Sequence, residues 1–183
     1  MGGEDEEFYV AYFQEPGRAE ADHSFGLGDA EWSAFGDGLQ NVVDRCRERG
    51  LQPTFHPHVG TWVEAHWEIE RVLELTDVGL CIDTGHLLVA GMDPAAAIHE
   101  WGDRINHVHL KDARLALLRE LIATGGGARQ VWTGGVFCGL GRGDLHTEAV
   151  LAGLDAVGYR GWLVVEQDVI ANSERDFEHA IAD

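Results

Sequence analysis

Positive charge is scarce in this sequence of 183 residues. Lysine and arginine together number 13, against 32 aspartate and glutamate residues, and the formal net charge is −19 at pH 7. A surface this acidic repels phosphate groups, so we expect neither nucleic acid nor an anionic membrane as a partner. Lys111 is the only lysine, and it lies inside the run His-Val-His-Leu-Lys-Asp at residues 107–112.

Cysteine and long apolar runs are almost as scarce. The three cysteines, Cys46, Cys81 and Cys138, are odd in number and far apart, which predicts reduced, mostly buried thiols. No apolar run approaches the roughly 20 residues that a membrane span needs, and the acidic start at residues 1–7 is unlike a signal peptide. We therefore expect a cytoplasmic protein in which residues 1–183 form a single domain and residues 1–7 are disordered.

The sequence does contain four short apolar segments that each end in histidine, aspartate or glutamate. They are Thr-Phe-His-Pro-His at 54–58, Val-Gly-Leu-Cys-Ile-Asp-Thr-Gly-His at 78–86, Asn-His-Val-His-Leu-Lys-Asp at 106–112 and Leu-Val-Val-Glu-Gln-Asp at 163–168. Parallel sheets bind ligands at the carboxyl ends of their strands. If these segments are neighbouring parallel strands, their polar ends meet at one edge of the sheet.

Hydrophobic periodicity predicts an alternation of strands and helices. Predicted strands are 8–13, 51–56, 78–83, 105–110 and 161–166, and predicted helices are 30–49, 62–75, 94–101, 113–123, 147–157 and 173–182. Asp29, Asp93, Thr147 and Ser173 are the predicted helix caps, and the glycine-rich segment 124–143 is predicted to be a long loop. This alternation is typical of βαβ units and a parallel sheet.

The fold class that follows is α/β, of the (β/α)8 TIM-barrel type. A complete barrel has eight strands in about 250 residues, whereas this chain supplies about five strands, so about three N-terminal βα units would be lacking. We expect such a C-terminal part of a barrel to expose two sheet edges and to form a homo-oligomer or behave poorly in solution.

The residue types at the strand ends indicate a metal site. Side chains two apart on a strand point to the same side, so His56 shares a face with His58, His107 and His109 share one with Lys111, and Glu166 shares one with Asp168. Histidine, aspartate and glutamate together suit Mn²⁺, Co²⁺, Fe²⁺ or Zn²⁺, and the lack of cysteine there argues against a structural zinc site. The remaining scattered histidines are expected to be ordinary core or surface residues: His23, His66, His99, His146 and His179.

The motifs at 56–61, 83–87, 107–112 and 161–168 resemble those of the xylose-isomerase-like TIM barrels, the sugar phosphate isomerase/epimerase superfamily. The resemblance extends from about residue 29 to the end of the chain, and it points in particular to the inosose dehydratase branch of myo-inositol catabolism. It implies one divalent metal ion at the ends of the last four barrel strands, Mn²⁺ or Co²⁺ in the first place, with Mg²⁺, Fe²⁺ and Zn²⁺ also suitable. The implied ligands are His56, Asp83, His109 and Glu166.

The resemblance also implies a substrate and a reaction. The substrate would be a small polyol or keto-sugar, here a keto-inositol such as 2-keto-myo-inositol, which loses water through an enediolate. His58 would act as the base, His86 or a metal-bound water would protonate the departing hydroxyl, and Lys111 would hydrogen-bond or polarise the substrate oxygens. Where many relatives have glutamate as the first ligand, this sequence has His56.

Two alternatives stay open on the sequence alone. The same enediolate serves a sugar or keto-sugar isomerase or epimerase, which returns the proton instead of expelling hydroxide. The chain could also be an inactive partial barrel. Superfamily nucleases that act on abasic DNA use more metal ligands, and the net charge of −19 disfavours DNA.

Overall fold

The computed structural model describes residue 23, residues 26–126 and residues 128–168, with the side chains of residues 128 and 129 left out. Its helices are α1 (Asp29–Arg47), α2 (His66–Leu75), α3 (Thr84–Val89), α4 (Pro94–Trp101), α5 (Leu115–Ala123), α6 (Ala128–Thr133) and α7 (Thr147–Ala156). Its strands are β1 (Thr54–Phe55), β2 (Gly79–Asp83), β3 (Ile105–Leu110), β4 (Asp112–Ala113), β5 (Phe137–Cys138) and β6 (Leu163–Val165). The predicted strand 8–13 and helix 173–182 lie outside the described residues, as do residues 1–7.

Four of the strands form one parallel sheet in the order β1-β2-β3-β6. Helices connect these strands in sequence, as the alternation of patterns predicts. The central strand β2 is buried almost throughout, which explains its nearly continuous apolar sequence. The parallel α/β arrangement is thereby confirmed for the part of the chain that the structure describes.

A single hydrophobic core lies between this sheet and the surrounding helices. The sheet contributes Leu80, Ile82 and Val108, and the helices contribute Trp32, Val43, Ile69, Val72, Ile98, Trp101, Val150 and Leu154, all less than 5% exposed. Because interior packing is dense, this core fixes how the strand ends face one another. No helix among the described residues is both long and apolar enough to cross a membrane.

The helix boundaries depart from prediction at two caps. Gly28, rather than Asp29, precedes α1, because the Glu31 carboxylate accepts the Gly28 N–H at 2.8 Å and Asp29 becomes the first helical residue. His146, rather than Thr147, precedes α7. The prediction at Asp93 is confirmed, since its Oδ1 accepts the Ala95 N–H at 2.9 Å.

The segment 124–143 is not the continuous loop that its glycines predict. It contains α6 and β5, and β5 pairs antiparallel with β4. The short six-residue helix has too few turns to produce a clear apolar period in the sequence. This correction matters, because α6 and β5 lie against the predicted catalytic residues.

Strand β6 is an exposed edge within the described residues. It pairs with β3 on one side, and Trp162, Leu163 and Val165 are 79%, 43% and 65% exposed. Exposed apolar side chains at such an edge favour association. Homo-oligomerisation therefore stays a prediction with a specific location.

Candidate metal and proton-transfer site

The parallel register brings the polar strand ends to one edge of the sheet. Asp83, the last residue of β2, lies beside His109 of β3. Leu110 pairs with Val165, and the Glu166 N–H donates to the Leu110 carbonyl at 3.1 Å. Residues that are 83 positions apart in the chain, Asp83 and Glu166, thus reach the same small volume.

Four side-chain atoms that could ligate a metal converge there, and none of them has a hydrogen-bond partner among the described residues. His109 Nδ1 lies 2.6 Å from Glu166 Oε2 and 3.4 Å from Asp83 Oδ2, and His56 Nε2 lies 3.5 Å from the same Asp83 oxygen. All four atoms are buried, and none makes a hydrogen bond of acceptable geometry. Buried polar atoms are normally hydrogen-bonded, and the Lys111 ammonium lies against only one of these four atoms, Asp83 Oδ2, so the cluster suits a further partner. Two imidazoles and two carboxylates fit a divalent metal ion.

Cys81 also lies close to this cluster, near His56 and His109. Burial raises the pKa of the Cys81 thiol to about 12, and the negative charges of Asp83 and Glu166 act in the same direction. Both effects oppose formation of the Cys81 thiolate, which is the form that binds metals. The two imidazoles and two carboxylates therefore remain a better set of metal ligands than one that includes Cys81.

Asp83 is held in place by the start of the next helix. Its Oδ1 accepts the N–H groups of Gly85 and His86 at 3.0 and 3.1 Å, so Asp83 caps α3 while Oδ2 faces the cluster. Burial alone would raise the pKa of Asp83, but the neighbouring His56, His86 and Lys111 side chains hold that pKa well below its usual range. Asp83 is therefore ionised at neutral pH.

The single lysine lies at the centre of the site. Lys111 Nζ is 3.1 Å from Asp83 Oδ2, 3.2 Å from Glu166 Oε1 and 3.0 Å from Asp168 Oδ2, and its side chain is fully buried. Burial alone would lower the pKa of Lys111, but the carboxylates of Asp83 and Asp168 outweigh burial and raise that pKa. Lys111 is thus a charged ammonium that balances part of the local negative charge.

The hydrogen bonds of two neighbouring histidines define their protonation. His58 Nδ1 lies 2.8 Å from the Val59 carbonyl, which can only accept, so Nδ1 carries the proton and Nε2 is a free base. His86 Nε2 lies 3.1 Å from Lys111 Nζ and accepts from the ammonium, so its Nδ1 carries the proton. Burial lowers the pKa of both histidines, and the Lys111 charge lowers each pKa further.

An aromatic wall stands beside these histidines. The Trp132 ring of α6 lies nearly parallel to the His58 ring, with centroids 6.3 Å apart and an interplanar angle of 9°. Phe137 of β5 meets His86 edge-on at 5.4 Å and Trp132 at 6.0 Å. The sequence did not identify Trp132 and Phe137 as site residues, because segment 124–143 was predicted to be a loop. Their aromatic character was the only signal that could have indicated them.

A buried carboxylate anchors the chain that carries this wall. Asp112 Oδ1 accepts the N–H groups of Ala113 and Leu145, and Oδ2 accepts those of Gly141 and Gly143, at 2.8 to 3.0 Å. A Cβ at Gly143 would lie 2.4 Å from the carboxylate, which explains why this turn contains glycine. The sequence placed Asp112 in a motif without revealing this structural role.

The structure brings all seven predicted site residues into one cluster: His56, His58, Asp83, His86, His109, Lys111 and Glu166. Sequence reasoning did not give Asp168 a role, although its position two residues after Glu166 placed it on the same face. Glu64 lies outside the cluster, since it is buried and accepts the Gly60 N–H. The assembled groups can bind a cation, take a proton and stabilise developing negative charge.

Comparison with known proteins gives a consistent family assignment. A family model described as xylose isomerase-like TIM barrel matches residues 9–182. The chain is 39% identical over 145 residues to an inosose dehydratase of Geobacillus kaustophilus, which covers 78% of this chain and 47% of that protein. It is 36% identical over 156 residues to an inosose dehydratase of Geobacillus thermodenitrificans, covering 84% of this chain and 52% of that protein.

A solved structure supports the fold. The probable 3-DHS dehydratase AsbF of Bacillus anthracis superposes with a TM-score of 0.64 at 13% identity, covering 84% of this chain and 56% of that one. At this identity the likeness shows the fold alone. The chain spans about half the length of the curated relatives that it matches.

Proposed function

Since the chain belongs to the family of xylose isomerase-like TIM barrels, we propose that it provides the active site of a metal-dependent lyase. Its substrate is a keto-inositol, 2-keto-myo-inositol in the first place, from which it removes water through an enediolate. One observation carries the proposal. Four buried side-chain atoms from separate strand ends, all on residues predicted as metal ligands, converge without hydrogen-bond partners among the described residues. The names of the similar proteins supply the substrate class.

We propose His56, Asp83, His109 and Glu166 as the metal ligands, with Mn²⁺ or Co²⁺ as the ion. A divalent ion bound there would polarise a substrate carbonyl and so acidify the neighbouring C–H bond. Two imidazoles and two carboxylates, with Asp83 ionised, favour such an ion over a soft metal.

His58 is the proposed base. Its Nδ1–H is held by the Val59 carbonyl, which leaves Nε2 as the lone pair that can accept a proton. Because its pKa lies below the usual value, His58 is neutral and ready to accept a proton at neutral pH. Positioned proton transfer of this kind typically contributes about 10² to 10⁴ in rate.

Lys111 and His86 are proposed to act on the substrate oxygens. The Lys111 ammonium, in a buried position, stabilises negative charge that develops on the enediolate. His86 accepts a hydrogen bond from Lys111 at Nε2, so the ammonium can pass a proton to Nε2 as the His86 Nδ1–H protonates the departing hydroxyl. Trp132 and Phe137 keep water away from these groups and offer an apolar surface to the substrate ring.

The test is turnover of 2-keto-myo-inositol by the purified chain with added Mn²⁺ or Co²⁺. We expect the dehydrated diketone, detected by mass spectrometry, and its loss in Asp83→Ala and His58→Ala. His99→Ala, a surface histidine on α4, is the matched control and should leave turnover unchanged.

Other outcomes of the same experiment would contradict the lyase. Incorporation of solvent deuterium into recovered substrate without diketone would indicate an isomerase or epimerase. A folded chain that binds metal but neither exchanges nor dehydrates this substrate would refute the keto-inositol proposal.

A further inference from the structure

A second group of ligating side chains lies on the helices, apart from the strand-end cluster. His66 and Glu70 lie one turn apart on α2, and Glu100 lies near the end of α4. One donor atom from each residue lies within 4.8 Å of the other two, and His66 Nε2 is 2.9 Å from Glu100 Oε2. The three residues share no member with the strand-end cluster.

The buried indole of Trp101 orients two of these three donors. Its Nε1–H donates to Glu70 Oε1, and its ring packs against the His66 imidazole with centroids 5.2 Å apart. Trp101 is only 3% exposed, so the indole is itself held by the core. Outer groups that hydrogen-bond to ligating side chains are a general feature of metal sites, because they fix ligand orientation. A surface ion pair would need only His66 and Glu100, whereas the indole also holds Glu70 beside them as a third possible ligand.

We propose that His66, Glu70 and Glu100 form a second divalent-cation site, which binds Zn²⁺ and links α2 to α4. Zinc accepts one imidazole and two carboxylates with water in the fourth position. The donor atoms lie on side chains that are still partly accessible, so the ion has an entry path and the side chains can adjust. The ion would add a further link between two helices that the His66–Glu100 ion pair and the Trp101–Glu70 hydrogen bond already connect, and so stabilise the helical layer.

Zinc binding to purified, metal-free chain tests this site. The measurement is the number of Zn²⁺ ions bound per chain by equilibrium dialysis, with Zn²⁺ itself as the probe. We expect two ions in the wild type and one in Asp83→Ala, which disables the strand-end cluster. Adding His66→Ala to Asp83→Ala should remove the remaining ion, whereas adding Glu74→Ala should not. Glu74 is the matched control because it lies on α2 and pairs with Arg71 instead.

A further variant separates ligation from a merely structural role. Trp101→Phe keeps a ring in the core but removes the N–H that holds Glu70, so we expect zinc affinity to fall about 10- to 100-fold while the stoichiometry stays unchanged. The thermal unfolding midpoint should rise with Zn²⁺ in Asp83→Ala, and this rise should vanish when His66→Ala is added.

The outcomes separate this proposal from that of the strand-end site. One ion in both the wild type and Asp83→Ala, lost with His66→Ala, would support the helical site and count against a metal at the strand ends. Zinc binding that is unchanged by both His66→Ala and Glu100→Gln would show an ordinary ion pair and overturn the second site. Absence of zinc binding in folded Asp83→Ala would overturn it as well.

Discussion

Replacing Asp112 by alanine should destabilise the protein severely without touching the proposed ligands. The Asp112 side chain is fully buried, and its carboxylate accepts four backbone N–H groups. Two of these donors, Gly141 and Gly143, are exposed and can bind water once the carboxylate is gone. The other two, on Ala113 and Leu145, are buried and would be left unsatisfied.

The magnitude follows from these two buried donors. An unsatisfied buried polar group costs about 1 to 3 kcal/mol, so the two donors should lower the free energy of unfolding of Asp112→Ala by about 2 to 6 kcal/mol. That is a large fraction of the roughly 5 to 15 kcal/mol by which domains are stable. In a chain of this length, each kcal/mol corresponds to about 2 to 4 °C, so the unfolding midpoint should fall by roughly 4 to 24 °C.

Urea unfolding followed by circular dichroism measures the effect, and Asp144→Ala is the matched control. The Asp144 carboxylate accepts one exposed N–H, from Leu115, so its removal should cost only about 1 kcal/mol. Amide hydrogen exchange at Leu145 should accelerate in Asp112→Ala. An equal loss of stability in the two variants would refute the reasoning that the buried carboxylate holds this turn.

Three further predictions concern the carboxyl group of Glu64, the close packing at Gly85 and the ring of Trp132. Burial raises the pKa of Glu64 from 4.5 to about 8. The folded state therefore holds this proton more tightly than the unfolded state does. The free energy of unfolding falls by up to about 5 kcal/mol as pH rises from 4.5 to 8. Glu64→Gln should therefore flatten the dependence of urea stability on pH in this interval, and an unchanged slope would contradict this. Gly85→Ala should lower the free energy of unfolding by about 1 to 3 kcal/mol, because the new Cβ would lie 2.5 Å from Lys111 Cγ. Gly38 has open space around it, so Gly38→Ala should stabilise α1 by up to about 1 kcal/mol in the same assay. If the lyase is active, Trp132→Ala should raise KM for the keto-inositol more than it lowers kcat, and a pure loss of kcat would show that the ring does not contact bound substrate.

Local sequence patterns determined the parallel α/β framework. Strands β2 and β3 and helices α4 and α5 are each predicted by an apolar pattern that extends over only a few neighbouring residues. The helix cap at Asp93 is predicted by its position before Pro94. Polar residues at strand ends indicated the strand-end cluster, because parallel strands place their carboxyl ends at one edge. The structure brings these residues together, and their roles as ligands and acid–base groups stay predictions.

The tertiary structure alone decided the features that depend on distant contacts. The Lys111 ammonium lies between the carboxylates of Asp83 and Asp168 because packing of separate strands and loops sets that distance. The wall formed by Trp132 and the anchoring by Asp112 depend on a short helix and a two-residue strand, which are too short to leave a period in the sequence. Local patterns report which residues share a face, whereas only the packed core fixes which faces meet and at what distance.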